Sequence, residues 1–431
     1  MNVRHFCYFL TGLVFILSSC LREEENLFSE SAALRLNHAI ENTKKALISP
    51  KHNNGWIMEY FPTNNQEGYT FLMKFDNNSF ATIAAKNKYT PVYTTDKGAF
   101  DVIGDNGPVL TFNTYNKVFH LFSDPKDPLG SSSLNGIGLG GDYEFVIMDV
   151  TDDLITLKGK KRGTHVLMRP VKQGQDWQGY FNELDDLKGE LFDNKVTLQL
   201  NKDGENLFEL YNSTTGIFEK LQIGGDITKD SENLPFIITD YGIRLSQPFE
   251  IEKETRIQIF NLNKERNKLV AKENDSYIIT APQPGEFLQS DNSTFLAEKS
   301  ETTGMDELFS RVAAGMTSAF NSNYELVKIG FGKKDKRPAL VLFTKNGIIA
   351  MFNIPMAFEG NRVNIAKFDA DSMTNNDMDN NARLFYERVP VIKELLNFIQ
   401  GDYIVATSTP FTLRVLKYTK TNGSLVLNVS R

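Results

Sequence analysis

The sequence predicts a mainly β chain: an N-terminal module of antiparallel strands closed as a barrel or stacked as a sandwich, further antiparallel β modules behind it, and a few packing helices. Three observations predict it. Alternation with a period of two dominates from Trp56 onward, as in Tyr69-Thr70-Phe71-Leu72-Met73-Lys74-Phe75-Asp76, where Tyr69, Phe71, Met73 and Phe75 share one face. Tight-turn pairs recur between apolar runs, at Asn106-Gly107, Asp203-Gly204, Asn346-Gly347 and Asn422-Gly423, and supply the positive φ angles that two-residue hairpins need. Helical spacing is scarce after residue 48.

The chain opens with Arg4, an apolar run from Phe6 to Leu17, and the small pair Ser18-Ser19 directly against Cys20. This is the pattern of a bacterial secretory signal ending in a lipid-attachment cysteine. The run is interrupted by Thr11 and Gly12 and falls short of the about 20 apolar residues of a permanent membrane helix. We therefore expect residues 1–19 to be a signal peptide and Cys20 to carry the lipid that tethers the body to the outer membrane. Cys7 is the one other cysteine and lies in the discarded peptide, so the mature chain has no internal disulfide. Residues 20–54 read as anchor, acidic spacer and one amphipathic helix, with Ala33, Leu36, Ile40, Ala46 and Leu47 at helical spacing until Pro50 and Asn53-Asn54-Gly55 stop it.

Residues 55–172 form the first β module, with strands expected at 56–61, 69–76, 80–86, 100–104, 109–115, 117–122, 143–150, 154–158 and 164–169. Lys172-Gln173-Gly174-Gln175-Asp176 separates it from a second β module at 176–281. A polar stretch opened by Ala281-Pro282-Gln283-Pro284-Gly285 leads to a C-terminal β module at 300–431. That module carries the two later helical patterns, 303–320 and 381–400, the second begun or kinked at Pro390.

Charge and motif content exclude several function classes. The chain carries a net charge of −7, and loss of Arg4 with residues 1–19 leaves −8, with no basic stretch denser than Lys333-Lys334-Asp335-Lys336-Arg337. We expect no nucleic-acid partner. Gly136-Ile137-Gly138-Leu139-Gly140-Gly141 has the G-x-G-x-x-G spacing but leads into a strand, whereas a dinucleotide site must open a helix. The Asp- and Asn-rich run 369–381 fails the calcium-loop frame, because counting from Asp377 puts Ala382 at the sixth place and Arg388 at the twelfth. It reads as a polar loop that caps the next helix. Five dispersed histidines and one mature cysteine offer no zinc set, no nucleophile elbow is present, and nothing selects a catalytic carboxylate pair. We expect no cofactor, no metal and no enzyme activity.

Aromatics are the remaining signal. Trp56, Tyr60, Tyr69 and Phe71 crowd two adjacent strands, and such rings either fill a core or stack on a sugar or an apolar ligand. Eight or more strands in about 115 residues have the size of an up-and-down barrel that holds one small ligand. The module resembles the lipocalin-like barrels, with Gly55-Trp56 on the opening strand and Arg169 on the last, where Trp over Arg would form a cation–π plug.

The ordered pieces Gly55-Trp56-Ile57-Met58-Glu59-Tyr60-Phe61-Pro62, 68–76, and 107–115 with His120 and Gly140-Gly141-Asp142-Tyr143-Glu144-Phe145 resemble the Bacteroidota lipoprotein family known as domain of unknown function 4302. The resemblance implies a cell-envelope lipoprotein encoded near TonB-dependent uptake systems, with no catalytic residues to carry over. Glu23-Glu24-Glu25, just after the cysteine, resemble the surface-export signal of that phylum's lipoproteins. The resulting expectation is a surface-exposed accessory protein that binds a nutrient, glycan or peptide, beside an outer-membrane TonB-dependent transporter. Its rivals are a structural or adhesive surface protein and, third, a carboxylate-based hydrolase.

Overall fold

The computed structural model describes residues 30–430 apart from 131–135, 193–196, 215, 224–230, 253, 283–293, 408–410, 412–413 and 419–422. Cys20, Glu23, Glu24, Glu25 and Asn422 lie outside the described residues.

Eight antiparallel strands form a closed barrel in which each strand pairs with its sequence neighbour: β1 (Trp56–Tyr60), β2 (Tyr69–Phe75), β3 (Phe80–Asn87), β4 (Thr90–Gly104), β5 (Pro108–Phe112), β6 (Glu144–Val150), β7 (Ile155–Gly159) and β8 (His165–Pro170). Pairing of Ile57 with Arg169 and Met58 with Met168 joins β1 to β8 and closes it. The first module is thus a barrel and not a sandwich. A second up-and-down barrel follows, made of β9 (Leu198–Lys202), β10 (Glu205–Thr214), β11 (Ile217–Gln222), β12 (Glu232–Thr239), β13 (Gly242–Glu252), β14 (Thr255–Leu262), β15 (Leu269–Ala271) and β16 (Tyr277–Thr280). The C-terminal part is a ten-stranded antiparallel sheet, β17 (Thr294–Glu298) to β26 (Ser424–Ser430), with β21 (Ile349–Asn353) at one end of the strand order and β22 (Met356–Glu359) at the other.

Among the described residues five helices pack on this framework. α1 (Ala32–Leu47) is capped by Ser31, whose hydroxyl accepts from the Leu34 amide, and its Leu47 enters the interior cluster of the first barrel. α2 (Trp177–Phe192) bridges the two barrels. α3 (Asp306–Ala319), α4 (Asn380–Arg388) and α5 (Val391–Phe398) bury Phe309, Val312, Met316, Phe385, Ile392, Leu395 and Leu396 in one cluster with the C-terminal strands. Pro390 stands between α4 and α5, so the 381–400 pattern is two helices: proline lacks the amide hydrogen and its ring clashes with the preceding turn.

Parity explains the first barrel. Trp56, Met58, Tyr60, Phe71, Met73 and Phe145 point inward and are fully buried, while Ile57 and Glu59 point outward under α2 and the second barrel. β1 is buried on both faces, which is why it reads as an almost unbroken apolar run. The turns behave as their residues require: Asn106 and Gly107 have φ of 52° and 139°, Asp203 and Gly204 50° and 91°, and Gly347 83°.

Three expectations fail. Residues 117–122 are not a strand. Asn116 folds the segment back by accepting from the Val118 and Phe119 amides, and a single 3-10 turn (His120–Phe122) drives Phe119 and Phe122 into the barrel end near Tyr60. Trp56 and Arg169 do not form a plug. Arg169 faces Ile57 on the outer surface, where its guanidinium lies 5.1 Å from the Tyr241 ring centroid, whereas Trp56 points inward and donates to the Leu47 carbonyl at 3.1 Å. The scarcity of helix after residue 48 overlooks α2, which Asp176 starts by accepting from the Gly179 amide at 2.6 Å.

Candidate functional site

The interior of the first barrel is filled. Tyr60 and Phe71 meet edge to face at 5.7 Å, Phe71 and Phe119 at 5.1 Å, and Phe75 and Phe100 at 4.7 Å. Trp56, Tyr60 and Phe71, singled out from the sequence as ligand contacts, are part of this packing, with Tyr60 donating to the Asp142 carbonyl at 3.1 Å. The second barrel is closed in the same manner. Phe192, at the end of α2, packs 5.0 Å from Phe236, which stacks on Phe218 at 4.4 Å.

A cleft of about 550 Å³ lies between the barrels. One wall comes from the β1–β2 loop and the start of β2, with Glu67, Gly68, Tyr69 and Thr70; another from the β3–β4 turn, with Lys86, Asn87, Lys88 and Tyr89. α2 adds Phe181, Leu184, Asp185 and Lys188, and β11 and β12 of the second barrel add Ile217, Ile237 and Ile238. Tyr69 alone among the four aromatic candidates lines it.

The cleft is apolar at its floor and charged at its rim. Lys86 Nζ lies 2.6 Å from Asp185 Oδ2 and 2.9 Å from Asn182 Oδ1, which clasps the β3–β4 turn to α2. Glu67 takes Lys88 in an ion pair and accepts the Tyr69 hydroxyl at 2.9 Å. Burial, followed by the Glu67 charge, pushes the Tyr69 hydroxyl far above the ordinary range. For Lys88, burial pulls downward, but the Glu67 hydrogen bond and charge prevail and raise the ammonium.

Beside the cleft the barrels are joined by a buried polar network. Glu59 receives Arg244 Nε at 2.6 Å, Arg169 Nε at 3.0 Å and the Tyr241 hydroxyl at 3.1 Å, and Arg244 Nη2 also donates to the Glu59 carbonyl at 3.0 Å. Arg169 pairs with Asp240 as well and donates to Tyr180 of α2 at 3.3 Å. Burial drives the Tyr241 and Tyr180 hydroxyls upward, with the Glu59 and Asp240 carboxylates adding to it. Both Glu59 carboxylate oxygens face donors, so the network is a joint.

Chemistry at these groups is limited by pairing. Both cleft carboxylates, Glu67 and Asp185, are neutralised by lysines. Asp142, whose carboxyl burial raises, accepts from the Arg162 amide at 2.7 Å and sits beneath the 159–164 turn. In the 369–381 loop, Asp379 caps α4 by accepting from the Ala382 amide at 2.7 Å, and Asp377 closes its own turn on Thr374. Among the described residues no group of three or more His, Cys, Asp or Glu side chains is placed to hold a metal ion.

A family model described as a domain of unknown function (DUF4302) matches residues 24–264, which span α1, the first barrel and the second barrel through β14. The chain belongs to the DUF4302 family. No curated protein matches it. Among solved structures it is similar at 10% identity to a putative DNA polymerase III beta subunit from Eubacterium rectale, covering 90% of this chain and 96% of that one with a TM-score of 0.13. Similarity at 10% also extends to the Helicobacter pylori beta clamp bound to a DNA ligase peptide, covering 92% and 98% with a TM-score of 0.13. The isotype 1 transferrin binding protein B of Neisseria meningitidis serogroup B is similar at 9%, covering 88% and 75% with a TM-score of 0.14.

Sequence reasoning missed the α2 contribution to the cleft. The signal was present: Trp177, Tyr180, Phe181, Leu184, Leu187 and Leu191 recur at helical spacing behind the capping Asp176. The pairing of Lys86 with Asp185, 99 residues apart, had none.

Proposed function

We propose that this DUF4302 chain is a lipid-anchored envelope protein, held on the cell surface through Cys20 beside a TonB-dependent uptake system, that captures a small ligand between its barrels. One observation carries the binding site: the barrel interiors are filled with side chains, whereas the inter-barrel cleft has the volume and the apolar floor with polar rim that small-molecule sites share. Leu17-Ser18-Ser19-Cys20 supports the tether, and Glu23-Glu24-Glu25 support export to the surface. The neutralised cleft carboxylates favour capture over hydrolysis.

Two experiments test this. Protease added to intact cells removes the protein, and the Cys20→Ala variant is no longer held at the surface; protection in intact cells with digestion after lysis sinks the surface reading. In a thermal-shift screen of glycans and peptides, a ligand stabilises the wild type and not Leu184→Trp, whose indole fills the cleft. Ligands that stabilise both forms equally bind elsewhere. Filled interiors also favour a second reading, a structural or adhesive surface protein, and a chain that no ligand class stabilises supports it.

A further inference from the structure

We infer that the inter-barrel cleft takes a small organic anion with an apolar body, its acidic head toward Lys188 and its body on Phe181, Leu184 and Ile217. The inference rests on the capture reading and narrows its ligand.

Cationic side chains outnumber anionic ones around this cavity. Three lysines line it against two carboxylates, an excess of positive charge in a chain of net charge −7. Lys86 and Lys88 are engaged by Asp185 and Glu67, but the exposed Lys188 ammonium has no carboxylate partner among the described residues. The Tyr69 hydroxyl donates its proton to Glu67 and so consumes an acceptor. Asn87 is pinned by its Oδ1, which accepts from the Tyr89 amide at 2.9 Å and the Thr90 amide at 3.0 Å. The Lys188 ammonium is thus the cation left to a ligand, and a carboxylate, sulfate or phosphate oxygen has the matching chemistry. Phe181, Leu184 and Ile217 supply apolar surface beside these donors, so a wholly polar anion leaves that surface wet.

The test uses the mature chain from residue 20 carrying Cys20→Ala, titrated calorimetrically below micelle concentrations with dodecanoate, dodecyl maltoside, dodecyltrimethylammonium and inorganic phosphate. Dodecanoate binds best and weakens with added salt. Lys188→Glu and Lys188→Gln, surface changes whose folding is verified by urea midpoint, each weaken it about tenfold or more, and Leu184→Trp abolishes it. Dodecyl maltoside or dodecyltrimethylammonium binding as tightly as dodecanoate, and lost in Leu184→Trp, overturns the anion preference and leaves the cleft reading standing. Phosphate binding alone overturns the apolar body. Dodecanoate binding that survives Leu184→Trp lies outside the cleft and overturns the inference, as does no binding of any probe. In that last case the glycan and peptide screen decides the capture reading separately. Retention on phosphatidylglycerol vesicles without dodecanoate binding assigns the lysines to a lipid surface and overturns capture of a free molecule.

Discussion

Glu59 of the first barrel and Arg244 of the second meet across the joint at 2.6 Å, each side chain 1% exposed. They are 185 residues apart and both sit at outward positions of strands buried on both faces, β1 and β13. Arg169, Tyr241 and the Glu59 carbonyl complete their hydrogen bonds. Glu59→Ala strands the Arg244 guanidinium in a buried site, and we expect a loss of about 3–5 kcal/mol in urea unfolding. Glu59→Ala combined with Arg244→Met removes both charges and recovers part of that loss; a double variant no more stable than the single one refutes the pairing.

Gly68 lies where the barrels touch, its amide donating to the Phe236 carbonyl at 3.0 Å. A Cβ there would stand 2.5 Å from Ile237 Cβ and 2.8 Å from Phe61 Cε1. Gly68→Ala should cost about 1–3 kcal/mol by overpacking. The damage should concentrate at the joint, and limited proteolysis should then separate the two barrels sooner than in the wild type.

Phe71 tests whether the first barrel is filled. It packs on Tyr60, Phe119 and Phe122 and has no solvent exposure. Phe71→Ala should destabilise by about 3–5 kcal/mol, the range for emptying a packed aromatic site. A hollow, solvated lumen would lower the cost to below about 1.5 kcal/mol, so the urea midpoint decides.

His120 is buried as the neutral ring. The Asn116 amide donates to Nδ1 at 3.0 Å, so Nε2 carries the hydrogen that faces the Phe112 carbonyl at 3.2 Å. Burial holds its pKa below the ordinary histidine value of 6.5, the two backbone contacts opposing only in part. His52, on which Trp56 packs at 4.6 Å, is also lowered, first by burial and then by Lys51. The unfolded chain therefore binds more protons below pH 6.5, and stability is full above that pH and falls in acid, by at most about 1.4 kcal/mol per pH unit per histidine. Urea midpoints at pH 7.5 and 5.5 check this. His120→Gln should flatten the dependence, and an unchanged slope removes His120 as its source.

Much of the architecture was legible. The 69–76 alternation gave β2 its inner face, and Asn106-Gly107 and Asp203-Gly204 marked hairpins whose backbone angles need those residues. The C-terminal helices were legible from spacing and from Pro390. Residues 117–122 were misread because Val118, Phe119 and Phe122 are apolar in either conformation; the Asn116 side chain chose the turn. Of the candidate aromatics, Tyr69 reached the cleft, and Trp56, Tyr60 and Phe71 went to the core. Inward and aromatic is the same pattern for a packed lumen and a ligand cavity. The insertion of Phe119 and Phe122 into the barrel end distinguishes them.

The sequence by itself determined the antiparallel strands, their inward faces and their tight turns, because these follow from neighbours two to four positions apart. The tertiary structure decided that the strands close into two barrels, that α2 bridges them, that Glu59 meets Arg244, and that a cleft lined by three lysines opens beside the joint. Those depend on pairings 75 to 185 residues apart, such as Lys202 with Tyr277, Lys86 with Asp185 and Glu59 with Arg244. Local periodicity fixes which face of a strand is apolar; which surface covers that face is settled by the long-range burial of charges and rings that no short window contains.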